Sequence, residues 1–327
     1  MCIRDSYNVG IGTTNPDPAV GVGNTAKLSV GIVSAYQLYG DGSNLSGTGF
    51  TQDSQCNLIA GYDAGTCADS DTSFNVILGC GTGRQLNSGD HNVLLGTHAG
   101  RCACGGRFNV AIGMCAGTYL TDACDGVFIG KYAGTQLSGG QNIAIGCGAG
   151  CGSATSSNNT GTKNVFIGEA AGAVVTSGDN NIGLGLNSGR AITSGTNNTF
   201  IGKCAGCALQ TGMNNLYIGL QAGACSDNNY GNTAVGGIRT HYLHTTGNYN
   251  SMFGSDAGRN HISGSYNIGI GAKLDLPSTT GSDQLAIGCQ NSYWIVGDSS
   301  FNVGIGTTIP TNAVTSGNTQ KLSVGIV

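Results

Sequence analysis

Residues 198–219 read NTFIGKCAGCALQTGMNNLYIG, and within that stretch the pattern starts again: Asn215 repeats Asn198, Ile218 repeats Ile201 and Gly219 repeats Gly202. Outward from it, the glycine that closes each N-x-x-Φ-G box recurs at Gly61, Gly79, Gly96, Gly113, Gly130, Gly146, Gly168, Gly185, Gly202, Gly219, Gly236, Gly254, Gly271 and Gly288. Most steps are 17 or 18 residues; Gly146 to Gly168 takes 22, and the Ser/Asn/Thr-rich stretch 153–161 is expected to be a loop insertion. A short fixed period sustained this long means stacked copies of one supersecondary unit.

Each unit carries its own punctuation. Asn stands four residues before the box glycine, as at Asn75, Asn92, Asn164 and Asn181, with Gly126 and Gln284 as the exceptions. An Ala-Gly pair follows in most units (Ala99-Gly100, Ala133-Gly134, Ala205-Gly206), and a Ser/Thr-Gly turn precedes the next Asn (Ser88-Gly89, Ser177-Gly178, Ser194-Gly195). Gly supplies positive φ and Asn bonds its own backbone, so these are corners between short strands. The predicted architecture is all-β: a repetitive β-solenoid or β-roll of about 17-residue coils, about fourteen in number, forming a rod of roughly 65 Å at ~4.8 Å per coil. Pro16, Pro18, Pro277 and Pro310 lie at the ends or in an atypical late unit, as a strand ladder requires.

Alternation along each short strand sets an expected register. The residue before the glycine (Leu78, Ile112, Ile167) and the one two earlier (Val76, Val110, Val165) are expected inside, so that Ile145→Asp should break the stack. The residue between them (Ile77, Leu94, Phe128, Phe166, Phe200, Tyr217, Met252) is then expected outside. It is never charged, and an exposed apolar stripe of that length calls for a covering partner.

Composition agrees with a repetitive fold: among 327 residues there are 59 glycines, and only 9% are charged, while 39% remain hydrophobic. A net charge of −4 without a Lys/Arg run excludes a nucleic-acid partner, and no apolar run is long enough to insert into a membrane.

The ends form a different module. Tyr7 to Val33 and Phe301 to Val327 both read NVGIGTT-x-P…GNT-x-KLSVGIV, and the first continues into GDGSNLSG at 40–47. The expected layout is 7–50 as an N-terminal fibre module, 51–300 as the solenoid and 301–327 as a truncated second copy of the module. Met1–Ser6 resembles a translated sequencing adaptor at the edge of a metagenomic fragment and is set aside, so the natural chain is expected to extend beyond both ends. The NVGIGTT-x-P…KLSV module followed by GDGSNLSG resembles the tail-fibre proteins of bacteriophages, especially those of marine cyanophages. The N-x-x-I-G-x-x-A-G units resemble the same proteins and, more loosely, the heads of trimeric autotransporter adhesins. That resemblance implies a homotrimeric fibre on the virion tail, binding a host cell-surface glycan or protein; a bacterial surface adhesin is the alternative, and a polysaccharide-degrading tailspike a weaker one.

The residues offer little chemistry for catalysis. Glu169 is the sole glutamate, and the aspartates Asp69, Asp71, Asp122 and Asp125 gather at turns, where they cap backbone. The glycine-rich Gly146-x-Gly148-x-Gly150 recurs as corners and opens no long helix, so no cofactor is expected. Most of the fourteen cysteines sit at recurring repeat positions and are expected to serve as small buried apolar residues, with disulfides or metal binding as the alternatives. His91, His98, His241, His244 and His261 do not form a zinc pattern, and His241-x-x-His244 is taken as part of an irregular coil rather than a ligand pair, so no metal is expected. Aromatic side chains concentrate in Arg239 to Tyr249 and at Tyr293-Trp294. Tyr242, His241, His244, Tyr293 and Trp294 are therefore the candidate receptor contacts, with capping of the rod's end as the competing role.

Overall fold

A computed structural model describes residues 51–153 and 159–306, together with the backbones of Cys2–Ile3, Val9–Ile11, Leu28–Val30 and Leu322–Val324. The described residues contain strands, turns and no helix. Fourteen three- to six-residue strands, from Leu58–Ala60 to Leu285–Cys289, pair in parallel, each with the next along the chain. The expected β-solenoid is therefore present, with one strand per coil and about thirteen coils spaced by about 17 residues. The long step is absorbed outside the ladder: Ile143–Ile145 pairs in register with Val165–Ile167, residues 22 apart.

The predicted register is inverted. From the second coil onward the middle box residue is the buried one: Ile77, Leu94, Ala111, Phe128, Ala144, Phe166, Phe200, Tyr217, Ala234 and Met252 are all fully enclosed. The flanking pair, Val165 and Ile167 for example, is part-exposed. Ile145, expected inside, belongs to this outward set. The box Asn decides the parity, because Asn and the middle residue are two apart and so share a face. In coil after coil the Asn is buried, its side-chain carbonyl accepting the next Asn's N–H and its amide donating to the next coil's turn. Asn92 N donates to Asn75 Oδ1 at 2.8 Å while Asn92 Nδ2 donates to Gly106 O at 2.7 Å. Asn181 N donates to Asn164 Oδ1 at 2.9 Å and Asn181 Nδ2 to Gly195 O at 2.8 Å. A fully satisfied polar ladder can occupy an interior that would reject isolated amides. The two exceptions keep the bond: Gly126 N and Gln284 N donate to the preceding Asn Oδ1 at 2.9 Å.

Three apolar ladders complete the interior: the middle strand residues, the corner alanines (Ala99, Ala116, Ala133, Ala171, Ala205) and a leucine row (Leu86, Leu120, Leu137, Ile192, Leu209). The middle row mixes large and small residues, and neighbouring coils fit them together. The corner glycine after each alanine is required twice over. Gly134 has φ +58°, and a Cβ there would strike the ring of Phe128; Gly206 stands in the same relation to Phe200.

The ladder ends by reversing direction. Ser292–Gly297 pairs antiparallel with Leu285–Cys289, and Val303–Ile305 antiparallel with Ser292–Gly297. The two module copies pair alike: Val9 with Leu28 and Ile11 with Val30, Val303 with Leu322 and Ile305 with Val324. Cys2–Ile3 lies antiparallel to Val9–Ile11, and Met1–Ser46 and Gly47–Val327 form separate compact units. Pro277 is exposed in the connection after Leu276; Pro16, Pro18 and Pro310 lie outside the described residues.

Candidate functional site: the late coils

From strand Leu216–Leu220 onward the repeat departs from its pattern. That strand and Thr233–Ile238 run to five and six residues where the coil strands before them have three, and their register shifts between Ile218 and Leu220, a bulge that re-aims the corner beyond it. On this corner lie Arg239, Asp256 and Lys273, one from each of three coils and all at positive φ. They open a cleft of about 380 Å³ lined also by Arg259, Asn260, Asp275 and Asn291. Arg239 Nε lies 3.1 Å and Arg259 Nε 3.9 Å from the same oxygen, Asp256 Oδ1. Asn260 is held by Asp275, its N 3.1 Å from Oδ1 and its Nδ2 2.8 Å from Oδ2. Three cations face two carboxylates here, in a chain with 13 basic residues in all, so the cleft favours an anionic or polyhydroxylated group.

At the other end of the same strands a second corner carries the residue that precedes each box Asn. It is at φ near +60° in almost every coil and its side chain points outward. In the early coils it bears Phe74, His91 and Phe108, stacked at 5.0 Å between successive ring centroids. In the late coils it bears Tyr249 and Tyr266, stacked at 5.4 Å with more than half of each side exposed. Between them the position is polar (Asp125, Gln141, Lys163, Asn180, Asn197, Asn214). Exposed stacked rings on a rigid frame present flat faces suited to sugar rings.

The five sequence candidates separate. Trp294 is 62% exposed on the terminal hairpin. Tyr242 is part-exposed, on the corner that follows the bulge. Tyr293 packs against the small cluster of Met252, Ala257, Leu274, Leu276 and Ala286, and its hydroxyl donates to Asp275 O at 3.1 Å, so it caps the core. His241 and His244 are fully buried and cannot touch a receptor; together with buried His261 they lie inside the coil. Burial pushes all three imidazoles below their ordinary range, helped by mutual repulsion for His241 and His244; His244 is lowered to about 3. His261 had no signal beyond its 17-residue spacing from His244.

The cysteines also differ from expectation. None of the thirteen described is fully buried; Cys56, Cys67, Cys80 and Cys147 are exposed and the others part-exposed, since almost all of them lie in the turns between strands and outside the interior rows. All thirteen are free thiols. Burial raises Cys207 to about 11, with Cys204 and Cys225 adding to the shift.

Among the described residues no helix is long and apolar enough to cross a membrane. Comparison with known protein families, characterised proteins and solved structures finds no match, so the geometry above stands on its own.

Proposed function

We propose that the chain is a shaft or receptor-binding segment of a homotrimeric fibre, a binding and structural element rather than an enzyme. The supporting observation is the outer face of the sheet. Its two ladders run Val76/Leu78, Val93/Leu95, Val110/Ile112, Val127/Ile129, Ile143/Ile145, Val165/Ile167, Ile182/Leu184 and onward to Leu285/Ile287, with Thr199, Thr233 and Ser251 as uncharged polar members and no charged residue in any of the fourteen strands. At ~4.8 Å per strand the apolar strip is roughly 60 Å long, beyond what a lone soluble chain ordinarily exposes. A second copy of the same ladder matches it in spacing and chemistry, so self-association is the natural cover. Inverting the register thus moves the demand for a partner from the middle residues to the flanking pair without removing it. Threefold symmetry is what the resemblance to tail fibres implies, as are a virion location and attachment to a host cell-surface glycan or protein. A bacterial surface adhesin has the same physical requirements.

Light scattering on the purified chain should report a trimer, and Ile112→Lys combined with Ile145→Lys and Ile167→Lys should dissociate it into folded monomers. A stable, soluble wild-type monomer would remove the basis of the proposal. Binding is assigned to the late coils: Tyr249→Ala with Tyr266→Ala, and Arg259→Ala with Lys273→Ala, should each weaken adhesion to a panel of host cells while leaving the trimer intact. Release of reducing ends from envelope glycan would instead favour the spike alternative.

A further inference from the structure

The interior of the regular coils is apolar apart from its Asn ladder and a few hydroxyl side chains such as Thr82 and Ser188, and in the late coils three imidazoles replace apolar or glycine positions. His244 and His261 stand in the leucine row. His261 N donates to Gly258 O, three residues back, as Leu86 N does to Gly83 O and Leu209 N to Gly206 O. His241 stands where other coils have the corner glycine: its N donates to Ala257 O as Gly206 N does to Ala222 O, and its φ is +55°. At Gly206 and Gly223 the space beyond a Cβ is filled by Phe200 and Tyr217; the matching strand residue here is Ala234, which leaves room for a ring. A left-handed non-glycine residue on a glycine corner, two successive rings in the leucine row directly after Ser226 and a compensating small residue all favour one outcome, the gathering of three histidines. Local rules broken together in this way mark a functional site.

Their geometry is that of an incomplete polar cluster. His241 Nε2 lies 3.1 Å from His261 Nδ1, and the His241 and His244 rings stack at 3.9 Å. One nitrogen from each of the three rings lies within 4.8 Å of the other two. Neighbouring asparagines orient the rings: Asn229, at the turn before Asn232, has Nδ2 3.1 Å from His244 Nδ1, and Asn267 of the ladder has Nδ2 3.2 Å from His261 Nε2. His241 Nδ1 is buried without any partner, so no assignment of protons among these rings satisfies the cluster.

We propose that His241, His244 and His261 form a buried binding site for a divalent transition-metal ion of the zinc class, which staples two successive coils of the solenoid. Three neutral imidazoles without a carboxylate suit a borderline-soft ion and leave its fourth position for water or hydroxide. Tetrahedral zinc with bonds of about 2.0 Å needs ligand nitrogens roughly 3.3 Å apart, so the rings turn out of their stack by a fraction of an ångström to an ångström as the ion enters. Burial favours the neutral form of each ring, which is the ligating form. His241 and His244 belong to one coil and His261 to the next, so the ion ties the two together where the repeat is least regular.

The test uses the whole chain with its thiols blocked by iodoacetamide, since free cysteines would bind the same ions. Calorimetry with Zn²⁺ should give one ion per chain, and the unfolding midpoint should rise by several degrees and return on chelation. Co²⁺ should produce visible bands of a tetrahedral nitrogen site. His241→Gly restores the corner residue of the other coils and His244→Leu restores the leucine row; each should fold as well as the parent and bind Zn²⁺ at least tenfold more weakly. Should a variant misfold, paramagnetic Co²⁺ on the parent chain decides, by selective broadening of three histidine signals out of five. Undiminished binding in either folded variant, no binding by the parent, or broadening confined to His91 and His98 would overturn the proposal.

Discussion

The early coils, from Asn75 to about Asn215, and the late coils, from Leu216 to Gly297, share one ladder and differ in what they do with it. In the early set the interior rows keep to apolar or small uncharged side chains: the middle row alternates in size, as at Phe128, Ala144 and Phe166, and Thr82 and Ser188 stand among the corner alanines. In the late set the departures point elsewhere: a bulge, a histidine on a glycine corner, two histidines in the leucine row and charged residues converging on a cleft. A repeat supplies stability through sameness, so positions that abandon sameness have been shaped by something besides packing.

The sharpest way to break that comparison is to remove a regular interior side chain. Phe166→Ala should cost about 3–5 kcal/mol, since it empties a fully enclosed position within the coil, whereas Val165→Ala, outside the coil and covered only by the proposed partner chain, should cost clearly less. Urea denaturation of both variants checks it, and equal losses would restore the register first expected from the sequence.

Acid should next separate the two regions. The three interior imidazoles have lowered pKa values in the folded chain, so unfolding takes up protons. Their contribution is full above the ordinary imidazole value of about 6.5 and declines as the pH falls, for His244 down to about 3. Each proton weakens the late coils by up to about 1.4 kcal/mol per pH unit within that window. Hydrogen exchange at pH 7 and pH 5 should therefore show accelerated opening around 241–267 and little change around 109–146.

Glycine replacements give a smaller, graded contrast. Gly134→Ala forces a Cβ into Phe128 and should cost more than about 2 kcal/mol; Gly148→Ala, with φ +63° and open space beyond, should cost only the left-handed backbone term of about 1–2 kcal/mol. In the metal-free chain His261→Leu should be neutral or stabilising by about 1 kcal/mol, since it exchanges a buried polar ring for the side chain other coils use. The smallest effect is kinetic: exposed Cys80 and Cys147 should react with maleimide well before Cys207, whose raised pKa keeps it protonated. Mass spectrometry of a labelling time course reads the order.

Much of this was legible along the chain. The 17-residue period and the corners follow from glycine, asparagine and spacing, because those residues act on the local backbone; most of the expected loop insertion, 154–158, lies outside the described residues. The register was not. With strands of three residues, alternation allows either parity, and hydrophobicity favours the two flanking positions over a middle row that includes Gly183 and Gly269. The usable signal was in the polar residue: an Asn repeated once per coil is an interior ladder, and it carries the residue two beyond it inside. The varied sizes in the middle row pointed the same way, since only an enclosed row needs to pair large with small.

By itself, then, the sequence determined that the chain is a stack of equal β coils, since period and turn chemistry are local properties written once per repeat. Only the tertiary structure decided which face of each strand is inside, that the cysteines face outward, and that His241, His244 and His261 meet. Those outcomes depend on contacts between coils, where a hydrogen-bonded amide can outcompete an isoleucine for the interior and where residues up to 20 positions apart become neighbours.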